Sequence, residues 1–112
     1  MGVTEVVRGA DLLSSTPRQL YLYHLLGLTP PRFYHFPLLL TTEGRRLSKR
    51  DGSVGLDSLQ ERLPPEEILG RLAYLAGFRP SAAPGTAEAL LADFDWTKVP
   101  EEDIRIPADL FR

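Results

Sequence analysis

The chain is 112 residues long, room for one modest domain burying roughly 65% of its unfolded surface. Hydrophobic residues at 43% and charged residues at 25% argue against a disordered chain, and the absence of cysteine excludes a disulfide scaffold, a thiolate zinc site and a cysteine nucleophile. The net charge of −2 divides into +3 over residues 1–52 and −5 over residues 53–112, so an anionic partner, if there is one, belongs to the first half.

Val3 to Val7 is a short β-branched run and reads as a strand. Arg8-Gly9-Ala10-Asp11 then turns the chain. Ser15 or Thr16 can cap a helix with Pro17 at its first position and Gly27 as its stop. Thr29-Pro30-Pro31 forces an extended connection. Tyr34 to Leu40 reads as a second strand, which gives a right-handed strand–helix–strand crossover with a parallel pair. Thr42-Glu43-Gly44 is a tight turn and residues 45–53 are a basic loop.

Beyond the loop the pattern is helical. Leu56, Leu59 and Leu63 fit one short helix beginning near Asp57. Pro64-Pro65-Glu66-Glu67 starts a second, with an Ile68, Leu69, Leu72, Leu75, Ala76 stripe that ends at Gly77. Thr86 can cap a third helix through Leu90, Leu91 and Phe94, and Ile104 to Pro107 is extended. No run suits a membrane span or a signal peptide. Parallel sheets normally carry several strands with both faces covered, so one parallel pair points to a larger whole.

Two features carry chemistry. Arg45-Arg46-Leu47-Ser48-Lys49-Arg50 places four cations and a hydroxyl just after a glycine turn, as phosphate binding requires, although a solvated basic loop would have the same composition. Arg8, at the carboxyl end of a strand, can clamp a carboxylate or phosphate, or can simply pair with Asp11. His24 and His35 are too isolated to build a metal site. Tyr21, Tyr23, Phe33, Tyr34 and Phe36 suit a core or a partner surface, and Trp96 suits a packing anchor at a helix end.

Residues Val6 to Leu13, Ser15 to Gln19, Tyr34 to Leu40 and Arg46 to Arg50 together resemble class I glutamyl-tRNA synthetases, in order and in separation. Arg46-Leu47-Ser48-Lys49-Arg50 is similar to that family's "KMSKS" loop. Gly9-Ala10-Asp11 looks more like the glutamyl-queuosine tRNA(Asp) branch than the ordinary synthetase. The resemblance implies an α/β fold in which residues 1–53 form the second half of a Rossmann-like nucleotide-binding fold. Residues 54–112 would form a helical, stem-contact-like region with an extended tail.

It also implies an ATP-dependent ligase that makes glutamyl-adenylate and passes glutamate to tRNA. Arg8 would hold the glutamate carboxylate, and Asp11 and Leu12 would lie on the ATP-binding face. Leu38 and Leu39 would border the adenine. Lys49, with Arg46 and Ser48, would stabilise charge on the triphosphate, a role worth roughly 3–4 kcal/mol for one well-placed donor. Arg46 replaces the family's usual first lysine. It keeps the charge but offers a planar fork instead of an ammonium. Mg2+ is expected with ATP, and no zinc site. The half-fold with the "HIGH" element is not in this sequence, so the chain is expected to be inactive alone and to self-associate or bind that half. A cytoplasmic location is expected, without membrane. The alternatives are part of an ordinary glutamyl-tRNA synthetase or a non-catalytic tRNA-docking module.

Overall fold

A computed structural model describes residues 1–47 and 55–111. The chain forms two compact units, Met1–Leu38 and Leu39–Arg112.

In the first unit, strand β1 (Glu5–Gly9) leads through a 3-10 turn (Ala10–Ser15) into helix α1 (Thr16–Leu25), and strand β2 (Arg32–Phe36) follows. The two strands are parallel, and their register sets Val6 opposite Phe33 and Arg8 opposite His35. Side chains alternate along a strand, so Val6, Arg8, Phe33 and His35 share one face. Glu5, Val7, Tyr34 and Phe36 share the other. On that second face Val7 and Phe36 are exposed, and Glu5 pairs with Arg32 at 3.3 Å.

Two local expectations need correction here. The first strand is Glu5–Gly9, not Val3–Val7, and Arg8 lies inside it instead of in a turn. The run Tyr34–Leu40 is not one strand. Pro37 has no N–H to give a ladder, and the chain leaves β2 at Phe36 before strand β3 (Leu39–Leu40) begins in the second unit.

The second unit pairs β3 in parallel with strand β4 (Ile104–Arg105). Between them run helices α2 (Leu56–Gln60), α3 (Pro65–Leu75) and α4 (Ala87–Asp93). Pro65 opens α3, where its missing N–H costs nothing, with Glu66 and Glu67 in the first turn. Thr86 caps α4 by accepting from the Ala89 N–H at 3.2 Å. Gly27 and Gly77 take positive φ and close α1 and α3 with the same pair of carbonyl bonds, Leu28 to Tyr23 and Gly27 to His24 in one, Phe78 to Ala73 and Gly77 to Tyr74 in the other.

The core lies in this unit. Leu59, Ile68, Ile106 and Phe111 are buried together, with Leu39, Leu47, Leu63, Leu75 and Leu110 against them. Gly70 is buried where α3 meets the Ala83 carbonyl, which leaves no space for a Cβ. Trp96 sits in a 3-10 turn and meets Phe94 edge-on at 5.2 Å, with Phe94 5.1 Å from Phe78. No described helix is long and apolar enough to cross a membrane.

Candidate functional site

The polar centre of the first unit is Arg8. Strand β1 aims its side chain to the face where α1 and β2 supply partners. Its Nε–H donates to His35 Nε2 at 3.1 Å, Nη1 donates to Gln19 Oε1 at 2.6 Å, and Nη2 donates to Thr16 Oγ1 at 2.8 Å. The guanidinium carbon also lies 4.4 Å from the centre of the Phe33 ring, a cation–π distance. All five side chains are half-buried.

Each of these partners is neutral. Among the described residues no carboxylate forms an ion pair with Arg8. A half-buried cation held only by neutral groups keeps its charge for an anion, and a guanidinium fork suits carboxylate or phosphate geometry.

Asp11 and Leu12 stand in the 3-10 turn after β1, both exposed. The Asp11 carboxylate folds over Gly9, where a Cβ would come within 2.6 Å of its Oδ1 and within 3.3 Å of Leu38 Cδ2. A side chain at the end of β1 would make the Asp11 carboxylate shift aside. Arg8, Asp11, Leu12 and Leu38 thus belong to one unit, with Asp11 and Leu38 meeting over Gly9.

Leu39, Arg46 and Leu47 belong to the other unit. Leu39 and Leu47 pack on its core, and the Leu47 N–H reaches the Leu39 carbonyl at 3.4 Å. Arg46 is exposed and bridges Leu40 in an antiparallel sense. The turn between is closed by Gly44 N–H to the Thr41 carbonyl at 2.9 Å. Hydroxyls of Thr41 and then Thr42 beside Glu43 hold its carboxyl below the ordinary value, and Glu43 meets Arg45 at 3.5 Å. Ser48, Lys49 and Arg50 lie outside the described residues.

A shallow hollow of about 480 Å³ in the second unit is lined by Arg71, Tyr74, Ala82, Pro107, Asp109 and Leu110. Arg71 is committed there to the Leu110 carbonyl at 2.6 Å and to Glu67 at 3.1 Å. None of the expected site residues lines it. Among the described residues no three His, Asp or Glu side chains gather closely enough to hold a metal.

Reasoning from the sequence missed His35, Gln19, Thr16 and Phe33 as members of the Arg8 cluster. It took His35 as isolated and Thr16 as a cap candidate. The available signal was the alternation of β2, which puts Phe33 and His35 on one face.

Residues 1–99 match the family described as tRNA synthetases class I (E and Q), catalytic domain. The chain is 48% identical to the glutamyl-Q tRNA(Asp) synthetase of Symbiobacterium thermophilum over 97% of its own length and 34% of that protein. It is 43% identical to glutamate–tRNA ligase 1 of Wolinella succinogenes, over 85% of this chain and 21% of that one. The crystal structure of the glutamate–tRNA synthetase of Elizabethkingia anophelis superposes with a TM-score of 0.75 at 26% identity, covering 96% of this chain and 26% of that chain. A glutamate tRNA ligase from Elizabethkingia meningosepticum, solved in complex with its amino acid, superposes equally well. The chain thus spans about a third of the glutamyl-Q relatives it matches. On this evidence it belongs to the class I glutamyl and glutaminyl tRNA synthetase family, within the catalytic domain.

Proposed function

We propose that this chain is the part of a glutamate-activating ligase that grips the amino acid and the ATP phosphates, and that the complete protein transfers glutamate to the queuosine of tRNA(Asp). The observation that carries the reading is Arg8, a half-buried cation with neutral partners only, in a chain of this family. Its free donors take a carboxylate of glutamate. Asp11 and Leu12 flank ATP, while Leu38 and Leu39 bound the adenine. Lys49, Arg46 and Ser48, within the segment from Arg46 through Leu47 to Arg50, balance phosphate charge as glutamyl-adenylate forms and pyrophosphate leaves. Mg2+ enters with ATP as part of the substrate.

Residues 1–53 serve as the nucleotide-binding part, of Rossmann type, and residues 54–112 as the stem-contact part. The open face of the first unit is covered by the HIGH-containing half of the catalytic fold or, failing that, by a second copy. The site of action is the cytoplasm. An acceptor at the 3′ end of tRNA(Glu) is the second reading, favoured by the 43% identity to a glutamate–tRNA ligase.

The test mixes this chain with the N-terminal part of the Symbiobacterium relative and follows glutamate-dependent ATP–pyrophosphate exchange. Exchange is expected only in the mixture, because one half of a site cannot align ATP with glutamate. Arg8→Gln should abolish it. Exchange indifferent to Arg8→Gln overturns the reading. Transfer to tRNA(Asp) carrying queuosine, against transfer to tRNA(Glu), decides the acceptor. If neither exchange nor transfer occurs yet tRNA binds with a steep salt dependence, the chain is a docking module instead.

A further inference from the structure

We infer that His35 is a positioning residue which, with Thr16, replaces the carboxylate that usually holds an arginine, so that Arg8 is oriented without being neutralised. The inference deepens the reading of Arg8 as the glutamate-gripping group and rests on it for the ligand alone.

The geometry starts from donor and acceptor roles. Arg8 Nε–H can only donate, so His35 Nε2 accepts and the ring proton resides on Nδ1. The Thr16 hydroxyl has its own acceptor, the Leu12 carbonyl at 3.3 Å, which leaves its oxygen to receive Arg8 Nη2. His35 Nε2 and Thr16 Oγ1 stand 3.2 Å apart and together face the Nε–Nη2 edge of the guanidinium. That is the edge a carboxylate would take side-on, here taken by two neutral acceptors.

Gln19 Oε1 takes one N–H of Nη1. Of the five donors of an arginine, one on each Nη then remains among the described contacts, enough for both oxygens of an incoming carboxylate. A resident Asp or Glu would fix the fork equally well but would cancel the charge the ligand needs. Phe33, under the guanidinium, fixes its plane without adding charge.

The test is nitrogen-detected NMR of the full 112-residue chain, with His24 as the exposed internal reference, and titration with L-glutamate. The wild type should show His35 with the proton on Nδ1 and a slowly exchanging Arg8 Nε–H. His35→Gln, which keeps an acceptor at the same reach, should retain that resonance. His35→Leu should lose it. His35→Glu should retain it but bind glutamate at least roughly tenfold more weakly, as loss of a charge-assisted contact implies.

An Nε2-protonated His35, or an Arg8 Nε–H unchanged in His35→Leu while the amide spectrum stays native, overturns the proposal. So does undiminished glutamate binding in His35→Glu. If the wild type shows the expected tautomer and Arg8 resonance but no response to glutamate, the glutamate reading falls and the neutral anchor stands.

Discussion

Residues 1–38 and residues 39–111 have similar appetites for apolar side chains and opposite ways of using them. In the second unit Leu59, Ile68, Ala73, Ile106 and Phe111 are all buried. In the first unit only Pro31 and Pro37 are buried, while Leu20, Tyr21, Leu22, Leu25 and Leu26 of α1 and its C-terminal turn are all at least 40% exposed. Helix α1 with its turn carries these beside Arg18, Gln19 and His24, so much of its apolar surface is left without cover. The local geometry of the first unit is set by the Arg8 hydrogen bonds and that of the second by apolar burial. Apolar composition thus says which surfaces want cover, and only packing says which have it.

The contrast can be broken most sharply in the core. Ile68→Ala should destabilise the second unit by about 3 kcal/mol, read from urea unfolding followed by Trp96 fluorescence. The Arg8 Nε–H resonance should stay in place, and its loss would show that the two units stand or fall together. Thr86→Ala removes the cap of α4 and should cost about 1 kcal/mol in the same experiment. Phe36→Ser, on the open face of β2, should change stability by less than about 0.5 kcal/mol and should reduce self-association measured by light scattering. A large loss there would mean that the face is already covered.

The smallest effect concerns Asp95. The Thr97 hydroxyl and N–H hold its carboxyl below the ordinary value. Its contribution is complete above the unfolded-state pKa and is lost as pH falls through the lower folded-state value. Asp95→Asn should flatten the acid limb of stability against pH, and an unaltered limb would assign that slope to other groups.

What the sequence made legible was backbone chemistry confined to a few neighbours. Gly27, Gly77, Pro65 and Thr86 each end or begin a helix for reasons carried by the residue itself, and the structure has them doing so. The parallel pairing of the first two strands was legible too. The break at Pro37 was not, because three consecutive leucines argued for continuity while one missing N–H argued against it. The environment of Arg8 was harder still. His35 lies 27 positions away, and only the register of β1 on β2 brings it near. Membership of the family was legible in four short segments, because their order and spacing carry information that no single residue does.

One feature of the second unit bears on how the protein is made. Its parallel ladder joins Leu39–Leu40 to Ile104–Arg105, the first and nearly the last residues of the unit. Two of the four side chains clustered at its centre, Ile106 and Phe111, come after that final strand. A ribosome delivers the chain from the N-terminus, so α2, α3 and α4 emerge before their shared centre can close. Such long-range closure is slow, and apolar helices waiting for it are open to chaperones. A nascent chain stalled before Ile104 should therefore hold secondary structure yet remain protease-sensitive, and emergence of residues 104–111 should be the step that confers resistance.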